Sequence, residues 1–232
     1  VRYPNEQNLE MVRRVAIALD YLREQVVFVG GTVVDLLITD PASPPVRGSM
    51  DVDVIIEIAS RMDYYALRGP LISLGFREDI AGESSLLCRW NIEGIIVDIM
   101  PTNEEILGFS NEWYIDAIRT AELVYIADRL SIRRISGPSF LMTKLTAFMN
   151  PGNGDFMGSH DIEDVIAVLD GRPEVISEIK DSHLKLKNSL INIFEALLEQ
   201  EDFNDAILGH LPDRERHPTV MERIQTIASM SQ

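Results

Sequence analysis

Between residues 51 and 58 two aspartates alternate with an unbroken apolar row, Asp51-Val52-Asp53-Val54-Ile55-Ile56-Glu57-Ile58. Successive side chains on a strand point to opposite faces, so Val52, Val54, Ile56 and Ile58 must face a core. Asp51 and Asp53 then project side by side from the other face. Two carboxylates held that close repel each other unless something positive sits between them, and Mg²⁺ suits all-oxygen ligation of this kind. Upstream, the short apolar run Val26 to Val29 stops at Gly30-Gly31 and becomes Thr32-Val33-Val34-Asp35-Leu36-Leu37-Ile38, which reads as a strand, a tight turn and the start of a helix. Backbone amides at such a turn point outward and can hold an anion such as phosphate. A phosphate cradle joined to a carboxylate pair makes a metal–triphosphate site.

The rest of the chain arranges itself around that stretch. Leu9, Val12, Val15, Ala16, Leu19 and Leu22 recur at helical spacing, which predicts a first helix over roughly 6 to 24. A second helix is expected over 60 to 74, ending at Gly75. Runs 84–92 and 94–100, separated by Glu93-Gly94, predict a hairpin, and 122–126 and 131–135 two further strands. Beyond Gly137-Pro138 the pattern becomes helical, over 140–149, 161–169, 175–198 and about 215–229. The fold class is therefore α+β: a mixed sheet with flanking helices in residues 1–136, followed by a helical half in 137–232. The glycine-rich loop 150–158 reads equally as a closing loop or a flexible connector. Asp98 stands alone among Ile95, Ile96, Val97, Ile99 and Met100, and a buried carboxylate is costly unless paired or bound to metal. It either closes the strand before Pro101 or joins Asp51 and Asp53 as a third carboxylate.

Gly30-Gly31 followed by Arg47-x-Ser49-x-Asp51-x-Asp53 resembles the signature of the nucleotidyltransferase superfamily that includes DNA polymerase beta, and most of all its AbiEii/AbiGii-toxin type. The resemblance implies Mg²⁺-dependent (or Mn²⁺-dependent) transfer of a nucleoside monophosphate from an NTP such as ATP to an acceptor hydroxyl. Asp51 and Asp53 would hold two metals, and Asp98 would complete the site and accept the hydroxyl proton. Gly30, Gly31 and Ser49 would hold phosphates, while Arg47 braces the loop or touches phosphate. In Pro138 to Phe148, Lys144 matches the lysine that faces the nucleotide phosphates, against the plain alternative of a surface lysine. In Ser159 to Arg172, Asp161 matches the second motif's aspartate, against helix capping, and His160 stands where relatives often carry lysine. Nineteen residues lie between Gly31 and Asp51, more than usual, and the Pro-rich run 40–45 accounts for the surplus. The acceptor implied is a tRNA end, with an antitoxin protein as partner, or else a small aminoglycoside-like molecule or a protein. The rival class is a non-catalytic module that keeps the fold and binds a nucleotide. Without metal the carboxylates repel, so replacing any one by Asn is not expected to lower stability.

Charge bears on the acceptor. The 232 residues carry a net −16, shared evenly on either side of residue 135, where a nucleic-acid-gripping protein usually shows a basic surface. Arg129, Arg133 and Arg134 form the only dense basic cluster. The single cysteine, Cys88, excludes an internal disulfide and fits a reducing compartment, the cytoplasm. No run approaches the apolar length of a membrane span, and the polar N-terminal stretch gives no expectation of a signal peptide. A Walker A loop is excluded because Thr32-Val33 follows Gly31. A zinc site is excluded by one cysteine and no His-x₃-His pair.

Overall fold

The computed structural model describes residues 4–79, 87–108, 110–150 and 154–231. Contacts divide the chain into two units, Asn5–Val33 with Arg47–Ser136, and Val34–Val46 with Gly137 onward. In the first unit, helix α1 (Glu6–Ala18) starts at Asn5, whose side chain accepts the Gln7 and Asn8 amides. It gives way to a 3-10 turn over Asp20–Gln25, short of the predicted end at 24, with Asp20 in a left-handed conformation. Strand β1 (Val26–Val29) follows, and all four of its residues are buried. The chain then makes a 3-10 turn at Gly31–Val33 and the short helix α2 (Val34–Leu37), which belongs to the second unit. It returns as β2 (Asp51–Ile56).

The helix expected over 60–74 is two, α3 (Arg61–Ala66) and α4 (Arg68–Ser73). Pro70 has no amide to give the Ala66 carbonyl, so a continuous helix would lose a bond there. Gly75 ends the pair with φ +93°. Next come β3 (Arg77–Glu78), β4 (Arg89–Ile92), β5 (Ile95–Pro101), α5 (Glu104–Leu107), α6 (Tyr114–Arg119), β6 (Glu122–Ala127) and β7 (Leu130–Arg134). Glu93 and Gly94 both take positive φ, the two-residue turn that matches strand twist, so β4 and β5 form the predicted hairpin. The first part of that predicted run, 84–86, lies outside the described residues. The seven strands make one mixed sheet in the order β3-β4-β5-β2-β1-β7-β6. β2 runs parallel to β5 and antiparallel to β1. β1 therefore lies inside the sheet, where an all-apolar strand is required.

The second unit is helical: α7 (Gly137–Met149), α8 (His160–Gly171), α9 (Val175–Asp181), α10 (Leu184–Leu198), α11 (Glu201–His210) and α12 (His217–Ala228). The single helix expected over 175–198 breaks at Ser182-His183, where the His183 ring accepts the Leu186 amide and caps a new helix. Leu186, Leu190, Phe194 and Leu197 of α10 are buried, and α11 was not anticipated. The Pro-rich run is tied down within this unit. The Gly171 carbonyl accepts both the Thr39 and Asp40 amides at 2.9 Å. Arg216 joins Asp40 to Asp170 with contacts of 2.5 and 2.6 Å, and holds the Asp40 carboxyl below its usual pKa. Of the loop 150–158, residues 151–153 lie outside the described residues, so its two readings stay open.

Candidate functional site

Strand register assembles the acidic residues. Asp53 on β2 lies opposite Asp98 on β5, and Asp98 lies opposite Arg89 on β4. Residues in register share a face, so Asp53, Asp98 and Arg89 form a row across three adjacent strands, with Asp51 two residues along β2 on the same face. Each aspartate offers a carboxylate oxygen, and the three lie within 4.8 Å of one another. Val52 and Val54 on the opposite face are fully buried, as the alternation requires. An all-oxygen set of this size fits Mg²⁺ or Mn²⁺, and it contains no soft ligand that would favour zinc or copper.

Arg89 is the residue sequence reading missed. Its Nε donates to Asp98 Oδ1 at 2.9 Å and its Nη2 to Asp98 Oδ2 at 2.6 Å, while Nη2 lies 3.6 Å from Asp51 Oδ2. Asp98 hydrogen bonding outweighs burial and raises the Arg89 pKa further above its ordinary value. The signal was present: a two-residue turn at Glu93-Gly94 pairs Ile92 with Ile95, and counting outward pairs Arg89 with Asp98. Positive charge beside the row is thus supplied partly by the chain itself. Next to it Cys88 is buried, and burial pushes its thiol up to about 11, so it stays protonated at neutral pH.

Gly30 has a geometric reason to be glycine. Its φ is +71°, and a Cβ placed on it would lie 1.9 Å from Asp53 Oδ2. The turn therefore presses its backbone against the face that carries the aspartates. We expect Gly30→Ala to displace Asp53 and to cost about 1–3 kcal/mol in strain. Chemical denaturation and Mn²⁺ titration of the variant would check this, and unchanged Mn²⁺ affinity would show that Asp53 does not need the gap.

The approach to Asp51 is fixed by a second residue the sequence reading passed over. Asn8 is fully buried on α1; its Nδ2 donates to the Arg47 carbonyl and its Oδ1 accepts the Ser49 amide, each at 2.9 Å. The Ser49 amide is therefore occupied, which leaves only its hydroxyl for a phosphate. Arg47 Nη1 reaches its neighbour's carbonyl, Gly48 O, at 3.4 Å. The clue was helical spacing: position 8 lies four residues before Val12, on the buried face, and a polar residue there needs partners.

In the helical unit, Lys144 on α7 is paired with Asp161 at 2.9 Å and Asp164 at 2.8 Å on α8. Its side chain is 13% exposed, so it is not the surface lysine of the plain alternative. Burial alone would lower its pKa, but Asp164 and Asp161 more than offset this and leave it raised. Asp161 sits in the first turn of α8, yet the cap is Ser159, whose hydroxyl accepts the Ile162 amide. His160 is exposed and lies 3.1 Å from Glu163.

The expected basic cluster does not form a free patch. Arg134 is 3% exposed and paired with Glu122. Arg133 donates to the Ile118 carbonyl at 2.8 Å, which leaves Arg129 as the exposed member. Adjacent strand residues point to opposite faces, so Arg133 and Arg134 could never have lined one surface.

No family model matches the chain, and no curated protein matches it in sequence. Among solved structures, it resembles JHP933 from Helicobacter pylori at a TM-score of 0.50 and 13% identity, over 97% of this chain and 94% of that one. It also aligns with an antigenic nucleotidyltransferase-like protein from Paracoccidioides brasiliensis at a TM-score of 0.48 and 17% identity, over 91% and 96%. At such identities the likeness concerns the fold. Among the described residues no helix is long and apolar enough to cross a membrane.

Proposed function

We propose that the chain is a metal-dependent nucleotidyltransferase that moves a nucleoside monophosphate from an NTP to an acceptor hydroxyl. The observation that carries this reading is the row of three aspartates within 4.8 Å of one another, with the Gly30 turn set against Asp53. Asp51 and Asp53 would hold Mg²⁺, which when bound supplies charge neutralisation for the triphosphate. Gly30 and Gly31 would offer backbone amides, and Ser49 its hydroxyl, to the outer phosphates. In the reaction the acceptor oxygen bonds to the α-phosphorus as the bond to pyrophosphate breaks. Asp98 is the proton acceptor that the sequence resemblance suggests. Both its oxygens accept from Arg89, and each keeps a second lone pair, so the proton would arrive on a carboxylate already held by the guanidinium. Lys144 belongs to the same reading as a cation for the phosphates; Asp161 and Asp164 take two of its three N–H donors.

The toxin type of the superfamily suggests a tRNA end as acceptor and an antitoxin as partner. One observation favours a small cationic acceptor of the aminoglycoside kind instead: the charge is −16 overall and Arg134 is spent on Glu122. Transfer of α-labelled NTP with Mg²⁺ to a panel of tRNA, protein and aminocyclitol acceptors tests both. Label on none of them, with nucleotide still bound, would leave the chain a binding module.

A further inference from the structure

We infer that Arg89 binds substrate: the unspent edge of its guanidinium takes oxygens of the α-phosphate, the group to be transferred, from the side of the aspartate row opposite the Gly30 turn. The inference rests on the nucleotidyltransferase reading above and goes beyond it by adding a phosphate ligand that the sequence motif does not contain. A guanidinium is planar and has two edges that can each hold an anion, one formed by Nε and Nη2, the other by Nη1 and Nη2. The first edge is on Asp98, at 2.9 and 2.6 Å. Among the described residues Arg89 makes no other hydrogen bond. Its other ion-pair contact is Asp51 Oδ2, which at 3.6 Å from Nη2 lies beyond hydrogen-bond reach. The second edge therefore starts beside Asp51 with its donors unspent. The fork on Asp98 fixes the plane of the guanidinium, and the Arg89 side chain is 23% exposed, so a solute can reach it. Sheet order decides which phosphate meets that edge. The strands run β4-β5-β2-β1, so Arg89 and the turn that follows β1 stand on opposite sides of Asp51, Asp53 and Asp98. A triphosphate with its outer phosphates on the Gly30 and Gly31 amides and its metal on Asp51 and Asp53 extends its α-phosphate toward β5 and Arg89.

The test is calorimetry of the full chain with Mg²⁺ and two probes that carry no base. Inorganic pyrophosphate fills the outer positions alone, and inorganic tripolyphosphate reaches the third. Arg89→Gln should weaken tripolyphosphate binding at least about tenfold, the loss expected for hydrogen bonds to a charged group, and change pyrophosphate binding by no more than about twofold. Mn²⁺ affinity without phosphate, read by the electron paramagnetic signal of free Mn²⁺, should not fall in the variant, since no carboxylate is removed. Arg89→Lys keeps a charge for Asp98 but has no second edge, and should show the same selective loss, at least about threefold, if Arg89→Gln fails to fold. Unchanged tripolyphosphate affinity would overturn the inference. So would equal losses for both probes, or a parallel fall in Mn²⁺ affinity, since Arg89 would then act only by holding Asp98. A wild type that binds neither probe would overturn the nucleotidyltransferase reading itself.

Discussion

Asp53→Asn is expected to reduce nucleotidyl transfer by at least about a thousandfold, because an amide cannot replace the charge that holds the metal at the triphosphate. Asp51→Asn should behave alike, and should not lower stability, since it relieves repulsion in a crowded acidic row. Asp98→Asn should differ. The amide can no longer pair with Arg89, and a largely buried guanidinium is left short of its partner, so stability should fall by about 2–4 kcal/mol as well as activity. This departs from the expectation drawn from charge repulsion alone, and the reason is Arg89. Urea denaturation of the three variants separates the cases, and the double variant Arg89→Met/Asp98→Asn should recover most of the stability without the activity. Equal stability losses in all three would mean that the fork between Arg89 and Asp98 contributes nothing particular. Transfer within tenfold of wild type in Asp51→Asn or Asp53→Asn would remove the metal site.

Lys144→Ala is expected to lower stability by about 3–5 kcal/mol, since it takes the paired ammonium away from Asp164, whose side chain is 2% exposed. Pairing raises the lysine pKa despite burial, so its contribution is fully present below the ordinary lysine value and is lost only as pH rises through the raised one. Lys185→Ala, at an exposed position on α10, should change stability by no more than about 0.5 kcal/mol. Nucleotide affinity measured on the same proteins separates two roles. A stability loss that Asp164→Asn largely suppresses marks the ion pair as the main role. A large loss of NTP affinity with stability intact would mark contact with phosphate instead.

How far the sequence could be read depended on whether a feature was local. The Asp51–Ile56 strand, its buried valines, the hairpin at Glu93-Gly94 and the Asp98 strand follow from period-two alternation and turn chemistry. These act over a few residues. Asn8 and Arg89 were missed because each acquires its role from a partner distant in the chain or across a hairpin, and polarity alone does not name that partner. The breaks at Leu67 and at Ser182-His183 were missed for a different reason. Apolar periodicity runs through both, and a missing amide at Pro70 or a cap from His183 acts below the resolution of a helical pattern. The Arg129–Arg134 cluster failed because adjacency in sequence was taken for adjacency on a surface, which a strand forbids.

The way the chain is threaded carries a consequence for how this architecture can be divided. Val34–Val46 sits in the middle of the sheet-forming half of the sequence, yet its contacts belong with the helices that begin at Gly137. A fragment cut at Gly137 would therefore carry Arg216 without Asp40, the Gly171 carbonyl without the two amides it receives, and Arg172 without the Leu37 carbonyl it meets at 2.6 Å. A fragment ending at Ser136 would expose the same thirteen-residue segment with nothing to bind it. Neither half is a cassette that one recombination event could lift out and graft elsewhere. Gain, loss or exchange of the helical portion would require two coordinated insertions, so the two units are expected to travel together as one heritable block.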